Sequence, residues 1–189
     1  AVEANYPRIV QMLLTAGANG NSSQLLRASV VHNNIQLTDL LLTAGADPAS
    51  AVSDAVSADA AKVMELFISK GVDVTDEALL QTAVKGGKIN AVGVLVKNGA
   101  DATVVDAAGN NYLHVAAIGD NERLIPILAG VGAAVDAQNN AGDTPLHVAI
   151  SKGRKADDMV KALIAAGANV SLKNNAGKYP LDIAKGTKV

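Results

Sequence analysis

Residues 142–150 read Gly-Asp-Thr-Pro-Leu-His-Val-Ala-Ile and predict the start of a short helix. The hydroxyl of Thr144 can accept a hydrogen bond from an N–H of the first turn. Pro145 suits the first helical position, because an N–H at this position has no partner within the helix and proline has none to lose. Apolar side chains then fall on one face at helical spacing, at Leu146, Ala149 and Ile150. A similar stretch, Asn-Tyr-Leu-His-Val-Ala-Ala, occurs at 111–117, so the helix is one copy of a repeat.

A second element, an apolar run closed by glycine, alternates with these helices, and a helix of the first kind precedes each full run. Six copies occur, at spacings of 28, 26, 28, 33 and 35 residues, and they close at Gly17, Gly45, Gly71, Gly99, Gly132 and Gly167. Each glycine stands where a helix ends, a position that favours the left-handed backbone conformation. Because one pair of short helices cannot bury its own apolar face, neighbouring pairs must stack into a solenoid.

The repeated unit resembles the ankyrin repeat, through Thr-Pro-Leu-His-Val-Ala at 144–149 and Gly-Ala-Asn at 167–169, and the likeness covers essentially the whole chain. It implies an all-α solenoid of stacked helix pairs with short β-hairpin fingers between repeats. The connections between pairs are longer in the second half of the chain, so we expect fingers only there, at about 102–110, 135–143 and 170–178.

We predict a single domain over residues 1–189. It begins with a partial repeat at 1–20 and ends with another at 174–189. The five repeats between them span about 22–47, 49–73, 76–105, 106–138 and 139–173.

The composition excludes several classes of function. The 189 residues include no cysteine, which rules out disulfides, thiolate metal sites and cysteine catalysis. A pI near 5.9 and only three tyrosines and one phenylalanine argue against a nucleic-acid partner. No apolar run approaches the roughly 20 residues that cross a bilayer, so we expect no membrane partner. The lack of cysteine fits the cytoplasm and a disulfide-free secreted protein alike.

His114 and His147 occupy the same position of consecutive repeats, 33 residues apart. One interpretation is a metal pair or a catalytic base. The other, which the resemblance implies, is that each imidazole ties a finger to a helix. We favour the second because stacked repeats lie about 10 Å apart, too far to share a zinc ion at roughly 2 Å. His32 departs from the pattern and is expected at the surface.

Other candidate sites for chemistry have a simpler explanation. Paired carboxylates at Asp76-Glu77 and Asp157-Asp158 open predicted helices, where negative charge suits the helix dipole. The sequence contains no calcium-binding loop, no G-x-S-x-G motif and no glycine-rich phosphate loop. We therefore predict no catalytic residue, no cofactor and no metal site, and we expect that the chain is not an enzyme.

Charge is divided unevenly along the chain. Residues 1–151 hold 8 Lys and Arg against 15 Asp and Glu, a net charge of −7, whereas residues 152–189 hold 8 against 3, a net charge of +5. We favour an ordinary solvated cap as the explanation. The alternative is an acidic partner that docks on Lys173, Lys178 and their neighbours, a contact that salt would weaken.

The resemblance implies a concave face, lined by finger tips and by the first helix of each pair, that binds another protein. The matching positions are Val105, Ala107, Asn110, Ile118, Gln138, Asn140, Asp143, Ser151, Lys173, Asn175 and Lys178. Val105 and Ile118 are apolar residues on a polar surface, which suits either anchors for a partner or gap-filling between fingers.

The sequence thus predicts a monomeric, non-catalytic protein-binding module. One alternative is a regulatory or spacer segment of a larger enzyme or effector. Another is an inhibitor or immunity-type protein that blocks the active site of its partner.

Overall fold

The computed structural model of the protein describes residues 7–186, without the side chains at 154–155 and 185–186. The outer ends of the two predicted partial repeats, 1–6 and 187–189, lie outside the described residues. The described α-helices are α1 Pro7–Thr15, α2 Ser23–Val31, α3 Ile35–Thr43, α4 Val52–Ser57, α5 Ala61–Ser69, α6 Glu77–Lys85, α7 Ile89–Lys97, α8 Tyr112–Ile118, α9 Ile125–Gly130, α10 Pro145–Ser151, α11 Asp157–Ala165 and α12 Pro180–Gly186.

The helices stack in two rows. From α2 onward, each even-numbered helix contacts the next even-numbered one, and the odd-numbered helices α1 to α11 do the same. Each even-numbered helix from α2 to α10 also packs on the odd-numbered helix that follows it. This arrangement confirms the predicted all-α solenoid of stacked helix pairs.

Local chemistry sets the ends of the helices. Thr144 caps α10 as predicted, its hydroxyl accepting the N–H of His147, and the side chains of Ser22 and Asn34 cap α2 and α3 in the same way. The six run-closing glycines have φ between +89° and +99°, the left-handed conformation predicted for them. In α9, Pro126 occupies the second position, where it breaks no helical hydrogen bond.

Apolar side chains from both helix rows form one continuous buried cluster. Phe67 of α5 is the largest of its fully buried side chains, and leucines contribute most of the others. Small residues such as Ala55, Ala83 and Ala116 occupy equivalent buried positions on the even-numbered helices, which allows these helices to approach closely.

Three tight loops lie at the predicted finger positions. We call residues 102–110, 135–143 and 170–178 finger 1, finger 2 and finger 3. The predicted β-hairpin pairing is much reduced: among residues 7–186 the structure contains no β-strand, and finger 1 closes a single antiparallel bridge between Val105 and Asn111. The fingers are therefore turns whose hydrogen bonds run mostly within the turn and to the neighbouring finger.

Candidate functional site

Each finger is closed by one side chain that accepts two backbone N–H groups. In finger 1, Oδ1 of Asp106 lies 2.9 Å from the nitrogens of Ala108 and Asn110, and Asn139 and Asn174 do the same in fingers 2 and 3. Burial alone would raise the pKa of Asp106, but the hydrogen bonds from Asn110 and Ala108 hold it below its ordinary value. The three turns are therefore fixed from within.

A second set of hydrogen bonds joins each finger to the next. The backbone N–H of Asn140 donates to the carbonyl of Ala108 at 2.9 Å, and that of Asn175 donates to the carbonyl of Ala141 at 3.1 Å. The amide side chains repeat the pattern, because Asn140 also donates to the carbonyl of Ala107 and Asn175 to that of Asn140, both at 3.1 Å. The fingers thus form one connected layer.

The two buried histidines fasten this layer to the helices. Nε2 of His114 lies 2.8 Å from the carbonyl oxygen of Asp143, and Nε2 of His147 lies 3.1 Å from that of Lys178. Because a carbonyl only accepts, each Nε2 carries the proton. Nδ1 of each ring accepts the backbone N–H of the residue that caps its helix, Asn111 or Thr144, at 3.2 Å. The structural interpretation of both histidines is confirmed, and His32 is exposed as predicted.

Stability is expected to fall below about pH 7 because of His114. Burial lowers the pKa of its imidazole below the ordinary 6.5, while the hydrogen bond to Asp143 acts in the opposite direction. As the pH falls through 6.5, the unfolded chain binds a proton that the folded protein does not, so the free energy of unfolding drops by up to about 1.4 kcal/mol per pH unit.

Urea unfolding between pH 5.5 and 7.5 measures this slope. His114→Gln is expected to flatten the profile, whereas His32→Gln, at an exposed position, is expected to leave it unchanged. A slope that stays the same in His114→Gln would contradict this assignment.

The predicted binding residues separate into two groups. Five polar ones hold the fingers together: Asn110, Gln138, Asn140, Asp143 and Asn175. Gln138, for example, donates to the carbonyl of Lys173 at 2.8 Å. Their part in binding a partner stays a prediction, and part of their hydrogen-bonding capacity is already used.

The other predicted residues present free surface. Val105 on finger 1 is 55% exposed and Ile118 at the end of α8 is 48% exposed. Four more are also exposed: Ala107, Ser151, Lys173 and Lys178. The ammonium of Lys173 lies 4.9 Å from the centre of the Tyr179 ring, a cation–π contact.

Sequence reasoning missed Tyr112. It stands where the neighbouring repeats have Pro145 and Pro180, and it is only 4% exposed. Its side chain lines a small cleft between α6, finger 1 and α8, together with Glu77 and Val105. The substitution of a proline position by tyrosine was the one signal in the sequence.

The paired carboxylates, considered in the sequence as candidate metal ligands, lie at helix starts as predicted. Asp76 caps α6, and Asp157 and Asp158 form the first turn of α11. Within residues 7–186 no three His, Asp or Glu side chains come together as metal ligands do.

In the same part of the chain, every helix is too short or too polar to cross a bilayer.

A family model described as ankyrin repeats (3 copies) matches residues 79–174, which are 96 of the 189 residues. The chain belongs to the ankyrin-repeat family. The match includes all of finger 1 and finger 2, both buried histidines and most of finger 3. Ankyrin repeats are in general non-catalytic modules for protein–protein interaction.

Curated relatives share the repeats and are far longer. E3 ubiquitin-protein ligase KEG of Arabidopsis thaliana is 29% identical over 188 residues, which cover 86% of this chain and 12% of that protein. Putative palmitoyltransferase ZDHHC13 of Danio rerio is 30% identical over 98 residues, 49% of this chain and 15% of that protein. This ankyrin-repeat chain therefore spans less than a sixth of either relative.

Solved structures support the same fold. The ankyrin repeat domain of human ASB11 superposes with a TM-score of 0.77 at 22% identity, over 97% of this chain and 89% of that one. The ankyrin repeat domain of Bcl-3, a member of the IkappaB protein family, gives 0.70 at 25% identity, over 97% and 90%. The ankyrin-repeat architecture is thus shared along almost the full chain.

Proposed function

We propose that this ankyrin-repeat chain recognises a partner protein through its finger face, without chemistry of its own. The finger face comprises the exposed residues of fingers 1 to 3 and of the adjoining helices α6, α8 and α10. The observation that carries the proposal is the hydrogen-bonded layer of fingers, in which successive turns are joined by backbone and side-chain amides.

Rigidity is what makes this layer suited to recognition. A surface that is already ordered loses little conformational entropy on binding, so more of the contact energy appears as affinity. Val105 on finger 1 and Ile118 on α8 are large exposed apolar side chains of this face and supply the anchors. Lys173 and Lys178 leave open the alternative that an acidic segment of the partner lies over finger 3.

The double substitution Val105→Ala and Ile118→Ala tests the proposal. We expect the parent to capture a saturable partner from a native lysate, and the variant to bind that purified partner about tenfold more weakly or worse, because truncated anchors at an interface cost this much. Calorimetric titration measures the affinity, and circular dichroism checks that the two proteins are equally folded.

A matched control uses the same two changes elsewhere. Ile35 and Val131 are 37% and 45% exposed but lie away from the finger face, so Ile35→Ala with Val131→Ala should keep full affinity. Equal affinity of the finger-face variant and the parent would contradict the proposal. Gln138 and Asn140 are left intact, because their removal would also loosen the fingers.

A regulatory or spacer role within a larger enzyme or effector is the second proposal. The names of two relatives favour it, since a ubiquitin ligase and a putative palmitoyltransferase contain matching repeats in 12% and 15% of their lengths. A role as an inhibitor that blocks an active site would use the same finger face, and only the identity of the partner separates it from the main proposal.

A further inference from the structure

An apolar groove lies at one end of the solenoid, beside α12. It has a volume of about 540 Å³ and is lined by α10, α11, α12 and the start of finger 3. Ile164, Val170 and Leu181 line it and are 51%, 54% and 62% exposed. Within residues 7–186 no odd-numbered helix follows α12, so this groove, which we call the tail groove, is open.

The tail groove exposes residues that belong to the core of the repeat. Leu181 is the second residue of α12, and Leu113 and Leu146 are the second residues of α8 and α10. Those two leucines are at most 2% exposed, since an odd-numbered helix completes each of their pairs. Leu181 thus occupies a position that is covered by a helix in the preceding repeats.

The opposite end of the solenoid has the converse exposure, on α1. Ile9 and Leu13 lie four residues apart on one face of α1 and are 48% and 50% exposed. Leu13 stands four residues before the run-closing Gly17. All five residues at this position in the later repeats are fully buried: Leu41, Phe67, Leu95, Leu128 and Leu163. We call the exposed face of α1 around Ile9 and Leu13 the head face.

The head face and the tail groove are the two halves of one helix pair. Among the described residues, α12 is a first helix without the second helix of its pair, and α1 is a second helix without the first. If α1 of another copy lies in the tail groove, it continues the odd-numbered row after α11, and its α2 follows α12 in the even-numbered row. The contact then repeats the packing of α11 on α9 and α10 within the chain.

The two ends also carry opposite charge. Residues 1–60 hold 2 Lys and Arg against 5 Asp and Glu, a net charge of −3, whereas residues 152–189 have a net charge of +5. Opposite charge steers a head face toward a tail groove and opposes contact between two heads or two tails. Burial of the exposed apolar side chains then stabilises the contact.

We propose that copies of this chain associate head to tail, with α1 of one copy in the tail groove of the next. The contacting surfaces differ, so an open stack keeps one unused head and one unused tail to which further copies add. This assembly replaces the monomer expected from the sequence. It goes beyond the proposed function, because the finger face takes no part in the contact and the fingers of successive copies come to lie in one row.

Sedimentation equilibrium of the 189-residue chain tests the proposal first. We expect the average mass to rise with protein concentration from 19.1 kDa to more than twice that value. A mass that stays at 19.1 kDa up to the limit of solubility would overturn the proposal and would leave the tail groove to a helix of another protein.

Charged substitutions block the two ends separately. Leu13→Glu blocks the head face and Leu181→Glu blocks the tail groove. Each variant alone should stay monomeric, with association weakened at least about a hundredfold, because an unpaired carboxylate would have to be buried. Both positions are at least half exposed in the single chain, so the fold tolerates the change, which circular dichroism checks. Ile9→Glu and Ile164→Glu form a second pair of the same kind.

A mixture of the two blocked variants gives the decisive result. The intact tail of Leu13→Glu meets the intact head of Leu181→Glu, so the mixture should form a one-to-one complex of twice 19.1 kDa and nothing larger. A mixture that stays monomeric, or a single blocked variant that dimerises, would overturn the head-to-tail contact.

Two further variants serve as controls. Val131→Glu places the same charge at a 45% exposed position on α9, between the two ends, and should assemble as the parent does. The finger-face variant with Val105→Ala and Ile118→Ala should also assemble normally. Loss of assembly and loss of partner binding are therefore measured independently, and the failure of one proposal leaves the other standing.

Discussion

Replacing Gly142 with alanine is expected to lower the free energy of unfolding by about 3 kcal/mol and to separate finger 3 from finger 2. Gly142 has φ +75°, where a residue with a Cβ is strained. The added Cβ would lie 2.5 Å from the backbone nitrogen of Asn175 and would also overlap the side-chain oxygen of that residue. Either the turn of finger 2 or the hydrogen bond from Asn175 to Ala141 must give way.

Gly177 is the matched control for this substitution. It occupies the same position in finger 3, with φ +72°, but no heavy atom lies within 4 Å of an added Cβ. Gly177→Ala should therefore cost only the backbone strain, about 1 kcal/mol. Urea unfolding gives both values, and amide exchange of Asn175 should quicken in Gly142→Ala alone. Equal effects of the two substitutions would mean that fingers 2 and 3 are not in contact.

The sequence predicted the helices well because their signals are local. Thr144, Pro145 and the run-closing glycines act within one turn of the backbone, so their effect can be read from neighbouring residues. His114 and His147 were assigned correctly through the resemblance. Their acceptors, the carbonyls of Asp143 and Lys178, lie 29 and 31 residues away and have no local signal.

The fingers were predicted less well, because many of their hydrogen-bond partners are distant in the sequence. We expected hairpins, but the side chains of Asp106, Asn139 and Asn174 take up N–H groups inside each turn. Backbone pairing across each finger is confined to the turn itself, and the tips of fingers 2 and 3 bond to the preceding finger. Asn140 and Gln138 looked like free polar contacts in the sequence. Their acceptors are 33 and 35 residues away, so only the stacked structure reveals the hydrogen bonds.

Tyr112 shows the limit of reading a site from a pattern. In the sequence it is a departure from proline at one position, and nothing there indicates whether its hydroxyl is paired. The answer depends on α6, which supplies Glu77 from a different repeat. An environment of this kind is formed by contact between repeats, whereas the repeat pattern describes each unit alone.

Phe67→Ala is expected to lower the free energy of unfolding by about 3 to 5 kcal/mol, the largest effect that we anticipate from one substitution. Phe67 is the only phenylalanine and the largest fully buried side chain, in α5 between α3 and α7. Its removal leaves a cavity that the surrounding helices fill only in part. Phe67→Leu, which keeps much of the volume, should cost about 1 kcal/mol.

The part of the chain that is destabilised by Phe67→Ala decides what this substitution does to binding. In a stacked array each pair contacts only its neighbours, so hydrogen exchange in Phe67→Ala should quicken in α3 to α7 and change little in fingers 2 and 3. Binding to the finger face should then survive under conditions where the folded fraction remains high. Quickened exchange of the finger amides to the same extent would show that the whole array opens as one unit. The fingers would in that case depend on a core two to three repeats away, and any core substitution would weaken recognition as well as stability.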